Sequence, residues 1–298
     1  MSLSLLFTDP RLYILIAVAV IYASFDTLNK RNIPNWVAYL SIAIGVAVTL
    51  TYSWPAIIES LLLAAAIGGI SFLLYKSGQL GAGDGFEFVA ISLLLPLQPS
   101  PILSMLGTSN QFGIPFILSV FVAAGVFTLA GAPIYYLLLS RKGLQNDKKW
   151  RPYTKPNITD VLRAASVFFM YIFFYWFVSY TIGITLAGAV VIFLLAIPSA
   201  AVMLFGKRIN MAMVSMKSPD KLEEGDLIAT NFMSGKETAI FKRAYKNFGR
   251  LADARQIKAI KGVKAEIPVY DDAVPLSLPL LLGVITSLLI GNILLLVI

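Results

Sequence analysis

The chain has 298 residues, of which 58% are hydrophobic and only 13% charged, and a formal net charge of +8. A soluble domain of this length has no interior large enough for so much apolar surface, so the composition excludes an ordinary water-soluble fold and points to a membrane protein. Cysteine and histidine are both absent; this excludes disulfides, thiolate and HExxH zinc sites, a cysteine nucleophile and a Ser-His dyad.

Residues 1–11 carry Asp9 and Arg11 but no basic cluster of the kind that opens a cleaved signal peptide. A first membrane span is predicted over 12–28. It ends in a polar turn with Lys30 and Arg31, and Pro34 cannot continue that helix but suits the start of the next. The second span is predicted over 36–52 and the third over 56–75, joined by the uncharged turn Ser53-Trp54-Pro55. Lys76 follows, then Leu80-Gly81-Ala82-Gly83-Asp84-Gly85 and a short fourth span over 84–96. An uncharged loop, 98–113, leads to a fifth span over 114–139, and a basic loop with Arg141, Lys142, Lys148, Lys149, Arg151 and Lys155 comes next.

Residues 161–205 are almost uninterruptedly apolar, too long for one crossing and suited to two with a turn near 180–183. Composition then changes sharply. Residues 206–272 are rich in charge and read as a small α+β module with a strand near 227–230 and helices over 236–252 and 253–261. The last span is predicted over 276–298. The expectation is thus an all-α polytopic membrane protein with about eight transmembrane helices and a small α+β cytosolic insertion before the last. Its parts are a membrane catalytic domain at 1–205, the insertion at 206–272 and a final helix at 273–298.

The basic residues gather in the loops of one side, with Arg11 the exception. The positive-inside rule therefore places both termini outside and residues 206–272 in the cytosol, and the net charge implies membrane lipids rather than nucleic acid.

Two acids stand out in this arrangement. Asp26 closes the first span, Asp84 opens the fourth, and two crossings separate them, so both reach the same membrane face, the one with the basic loops. An acid in a membrane span is costly and marks function by default. Two close carboxylates share a proton. The ionised one takes a proton from a water attacking a peptide carbonyl, while the protonated one donates to the carbonyl oxygen and the leaving amine. Asp84, at a helix N-terminus, is nominated as the carboxylate and Asp26 as the proton carrier. Gly81, Gly83 and Gly85 are expected to supply positive φ and room for an extended substrate backbone.

Gly81-Ala82-Gly83-Asp84, with Asp26 ahead of Lys30-Arg31-Asn32-Ile33-Pro34-Asn35, resembles the type IV prepilin peptidases, above all their archaeal preflagellin (prearchaellin) and prepilin peptidase branch, which are GxGD membrane aspartyl proteases. The resemblance covers residues 12–97 and extends loosely to the Ile267-Pro268, Pro275 and Pro279 stretch that leads into the last span. It implies an aspartic endopeptidase with Asp26 and Asp84 as catalytic residues and no metal or organic cofactor. It also implies substrates with a short basic leader cut before an apolar helix: type IV pilin-like or archaellin precursors, the building blocks of type IV pili and the archaeal flagellum. Where the family pattern continues GxGDxK, this chain has Phe86 and then Glu87. Glu87 lies on the face of Asp84; it either meets a leader cation at the mouth of the site or supports the helix start.

Other readings of the same residues are a proton-coupled transporter and a presenilin-like intramembrane protease with different substrates. Lys76-Ser77 and Ser234-Gly235-Lys236 raise a Ser-Lys hydrolase, and Glu59 reads as an interfacial acid. In the insertion, Glu223, Glu224, Asp226, Asp271 and Asp272 offer an acidic surface for a basic leader, against the plainer reading of a solvated module near anionic headgroups.

Overall fold

A computed structural model describes residues 9–28, 33–77, 80–97, 99, 115–143, 156–181, 183, 186–270 and 276–293. Seven helices come first: α1 (Pro10–Leu28), α2 (Asn35–Thr49), α3 (Trp54–Lys76), α4 (Ala82–Leu94), α5 (Phe116–Gly143), α6 (Ile158–Thr181) and α7 (Leu186–Ala212). Strand β1 (Val214–Lys217), helices α8 (Gly235–Ala244) and α9 (Ala254–Ile260), and strand β2 (Ile267–Tyr270) follow, and α10 (Ser277–Leu289) is the last helix. Helices α1, α3, α5, α6 and α7 are long and apolar enough to cross a bilayer, and the chain is an all-α polytopic membrane protein. The expected pair within 161–205 is two helices, turned at Gly183 with φ 83°.

Helix α4 has 13 residues, about 20 Å at 1.5 Å per residue, which is shorter than a bilayer core of about 30 Å. Its final carbonyls would be stranded in an apolar setting. Side chains from the second helix and the turn after it meet that need. Thr49 Oγ1 donates to the Leu93 carbonyl at 3.0 Å and the Tyr52 hydroxyl to the Leu94 carbonyl at 2.6 Å. Phe116 N–H then takes the Pro96 carbonyl at 3.1 Å, tying the end of α4 to the start of α5.

Helix α4 packs against α2 and α3 and touches α1, while α10 packs against α5 and α1. One core joins Leu15, Ala19 and Tyr22 of α1 to Ile91 of α4, Val120 of α5 and Val284 of α10. Two glycines let helices approach closely here. A Cβ on Gly45 would stand 2.9 Å from Leu93 Cβ, and one on Gly283 would stand 2.7 Å from the Val120 carbonyl oxygen. Gly283 and Ser287 are four apart on α10, the small-xxx-small spacing that lets membrane helices meet backbone to backbone.

Two boundaries differ from expectation. Helix α7 runs on to Ala212, past the charge change at 206, because Lys207 pairs with the buried Asp160 of α6 at 2.9 Å. Helix α10 stops at Leu289 instead of running to 298: Gly291 at φ 89° ends it, its N–H returning to the Ser287 carbonyl.

Residues 214–270 pack around Ile228, Phe241, Phe248, Ile260, Ile267 and Val269. β1 and β2 pair antiparallel from Val214↔Tyr270 to Lys217↔Ile267. The strand expected near 227–230 is reduced to isolated bridges, Leu227 to Leu251 and Ile228 to Val269. The helix expected over 236–252 ends at Ala244, where the chain turns so that Phe248 stacks back on Phe241, ring centroids 5.3 Å apart. Helix α9 sits where expected, its start capped by Asp253, which accepts the Gln256 N–H.

Candidate active site

The site is assembled at one end of the bundle from the last turn of α1, the first turns of α4 and the first residue of α10. Helix α4 starts where it does because Gly81 takes the extended N-cap conformation, φ −71° and ψ 147°. Asp84 is then the third helical residue, and its carboxyl reaches back to accept the Gly81 backbone N–H. This is the returning half of a capping box. The fold-back explains Gly81 spatially: a Cβ there would lie 2.8 Å from Asp84 Oδ2.

Gly83 has a different neighbour. A Cβ on it would stand 2.6 Å from Ile33 Cδ1 and 3.1 Å from Ile33 Cβ. Ile33 lies just ahead of α2, so the bare face of Gly83 lets Ile33 settle on the first turn of α4. Gly85 performs the same service for α3, where Ser71 Cβ would be 3.0 Å from its Cβ. The expected positive φ at these three glycines is therefore corrected. Gly81 is extended, Gly83 and Gly85 are helical, and the positive-φ glycines among the described residues are Gly183, Gly225, Gly262 and Gly291. What the three glycines supply is room, and the groups that use it belong to the chain itself.

Asp26 is buried, 6% exposed, on the inner face of α1. One turn earlier on that face, Tyr22 is hydrogen-bonded to Ser41 of α2 at 2.9 Å. Asp26 Oδ2 accepts the backbone N–H of Ser277 at 3.0 Å. Ser277 is the first residue of α10, so Asp26, like Asp84, meets the positive end of a helix. The dipole argument thus applies to both acids and no longer ranks them as carboxylate and proton carrier. Asp84 lies within electrostatic reach of Asp26.

Glu87, one turn into α4, is wholly buried. Its Oε2 accepts the Ser277 hydroxyl at 2.7 Å, and its Oε1 has no hydrogen-bond partner among the described residues. It is within electrostatic reach of both aspartates. The expected alternatives for Glu87, a mouth residue or a helix-start support, both give way to a third acid inside the site, tied to the last helix. Phe86 points elsewhere on α4, edge-on to Tyr39 of α2 with centroids 6.0 Å apart.

Ser277 and Ile33 are the members that sequence reasoning missed. Ser277 carried a signal: a small polar residue opening the last span at the face assigned to both acids. Ile33 stood within the quoted Lys30–Asn35 motif, but nothing there named its partner, a bare glycine backbone. Among the described residues no group of three His, Cys, Asp or Glu is arranged to hold a metal ion.

The remaining candidates have local uses. Ser234 caps α8 in a capping box with Glu237, and Ser77 bonds the Leu74 carbonyl. Asp226 pairs with Lys217 at 3.3 Å and accepts the Glu223 N–H. Asp271 and Asp272 lie outside the described residues. A cavity of about 430 Å³ between α5, α7 and α10 is lined by Phe121, Thr128, Val202, Met213 and Leu276, the last adjoining Ser277.

The comparisons with known proteins bear on the same stretch. Residues 14–129 match the model of the type IV leader peptidase family. A prepilin peptidase of Methanothermobacter thermautotrophicus is 29% identical over 141 residues, which is 44% of this chain and 37% of that protein. The chain is therefore matched over little more than a third of that relative's length, and no solved structure matches it significantly. The segment similar to the type IV leader peptidase family, residues 14–129, carries Asp26, Asp84 and Glu87.

Proposed function

We propose that the chain is a membrane-embedded aspartyl endopeptidase that removes the short basic leader of type IV prepilin-like or archaellin precursors at the cytosolic face. The observation that supports this reading is that Asp26 and Asp84, from helices two crossings apart, lie at one end of the bundle within electrostatic reach of each other. Each aspartate accepts a backbone N–H from a helix start, Asp84 from Gly81 and Asp26 from Ser277. These contacts orient the two carboxyl groups.

The chemistry follows from the pair. One carboxylate takes a proton from a water as its oxygen attacks the scissile carbonyl carbon. The partner acid donates its proton to the carbonyl oxygen, and the tetrahedral intermediate then collapses with proton transfer to the leaving nitrogen. Holding water and peptide between two fixed groups supplies the orientation that makes such hydrolysis fast. Proteolysis is the activity proposed. The absent lysine of GxGDxK leaves Phe86 at that place, packed on Tyr39.

The test is direct. Purified protein in detergent is incubated with a type IV precursor and the product is read by mass spectrometry. The reading predicts one shortened product beginning at or near the apolar helix. An uncut precursor under conditions where a known peptidase cuts it would reject the reading in favour of a transporter or an assembly protein.

A further inference from the structure

Two hydrogen bonds to one residue connect the acids of the site. Ser277 gives its backbone N–H to Asp26 Oδ2 at 3.0 Å and its hydroxyl to Glu87 Oε2 at 2.7 Å. Ser277 and Glu87 are both fully buried. The three residues come from α1, α4 and α10, separated by up to 251 positions in the chain, so the link is a tertiary one. A buried polar contact of this kind is expensive to leave half made, because the stranded partner loses water without replacement. The backbone N–H of Ser277 is aimed by the orientation of the first turn of α10, and the hydroxyl on the same residue is what anchors that turn to α4.

We propose that Glu87 and Ser277 are positioning residues: Glu87 holds the Ser277 hydroxyl, which pins the start of the last helix so that the Ser277 N–H keeps Asp26 in register with Asp84. The proposal rests on the peptidase reading and adds to it a requirement for the C-terminal helix, which lies beyond the segment that matches the family. It also gives Glu87 a role fitted to its burial. The needed chemistry at position 87 is a hydrogen-bond acceptor of glutamate length, and the negative charge is dispensable.

The experiment is steady-state cleavage of a precursor by full-length variants, each checked for a single monodisperse peak in detergent. Ser277→Ala keeps the N–H and loses the anchor, so kcat should fall by about 10- to 100-fold, the scale of a catalytic group displaced by a fraction of an ångström to an ångström, with KM within about twofold. Glu87→Leu should fall equally, and the double variant no further than either single one, since both remove the same contact. Glu87→Gln retains an acceptor and should stay within about threefold of the parent chain. A Ser277→Ala variant with full turnover, or losses that multiply in the double variant, would overturn the proposal while the parent chain's cleavage still upholds the peptidase reading. Should the parent chain itself not cleave, the peptidase reading falls. The link then answers to thermal unfolding in detergent, where additive Tm losses for Ser277→Ala and Glu87→Leu would refute it.

Discussion

Gly83 shows how much of the site depends on the absence of a side chain. Its Cβ position is 2.6 Å from Ile33 Cδ1, closer than carbon atoms tolerate, so Gly83→Val must push Ile33 away. Overpacking of this sort costs about 1–3 kcal/mol. Gly83→Val is expected to lower precursor cleavage at least tenfold in a protein that still inserts. Gly83→Ala, with the smaller methyl group, should lose less, and Gly83→Ala combined with Ile33→Ala should recover most of that loss by vacating the contested space. No recovery in the double variant would show that Gly83 serves something other than the approach of Ile33. The need for glycine was legible in the sequence, but its reason was not. Backbone freedom and backbone room leave the same letter, and only the position of Ile33 separates them.

At the scale of elements, the helices were legible because long apolar runs bounded by Pro, Gly and basic turns admit few other readings in a membrane. Asp26 and Asp84 were legible as a pair because counting crossings puts them on one face. The share of α10 in the site was hidden, since nothing local ties Ser277 to an acid 251 positions away. The β1–β2 pairing was missed for the same reason: two four-residue strands, about fifty positions apart, carry too short an alternation to announce each other. The contact that seats α10 is the bare backbone of Gly283 against the Val120 carbonyl and the Ala124 N–H, at 2.7 and 3.0 Å from a would-be Cβ. Those are backbone atoms and cannot turn aside. Gly283→Ala is therefore expected to lower the Tm in detergent by several degrees, by about 1–3 kcal/mol of overpacking, and to reduce cleavage by tilting Ser277 away from Asp26. Unchanged Tm and turnover would show that α5 and α10 yield without affecting the site.

For the whole molecule, cleavage of a leader in the cytosol calls for one orientation: both termini outside, and the acids, the basic loops and residues 206–272 in the cytosol. The cysteine-free chain makes this easy to test. Asp220→Cys, on an exposed turn of the insertion, should resist an impermeant thiol reagent in intact cells and react after permeabilisation. Ser53→Cys, exposed in the turn at the opposite end of the bundle, should react without it. The reverse pattern would turn the protein over and place its acids where no cytosolic leader reaches them. Asp26 and Asp84 are proposed to form one hydrolytic unit. This is tested most directly by single-turnover cleavage of a precursor by Asp26→Asn, Asp84→Asn and the double variant, each purified and folded. Either single substitution is expected to abolish cleavage and the double variant to be no worse, because the two groups act on one water. Near-normal turnover by either single variant would contradict it.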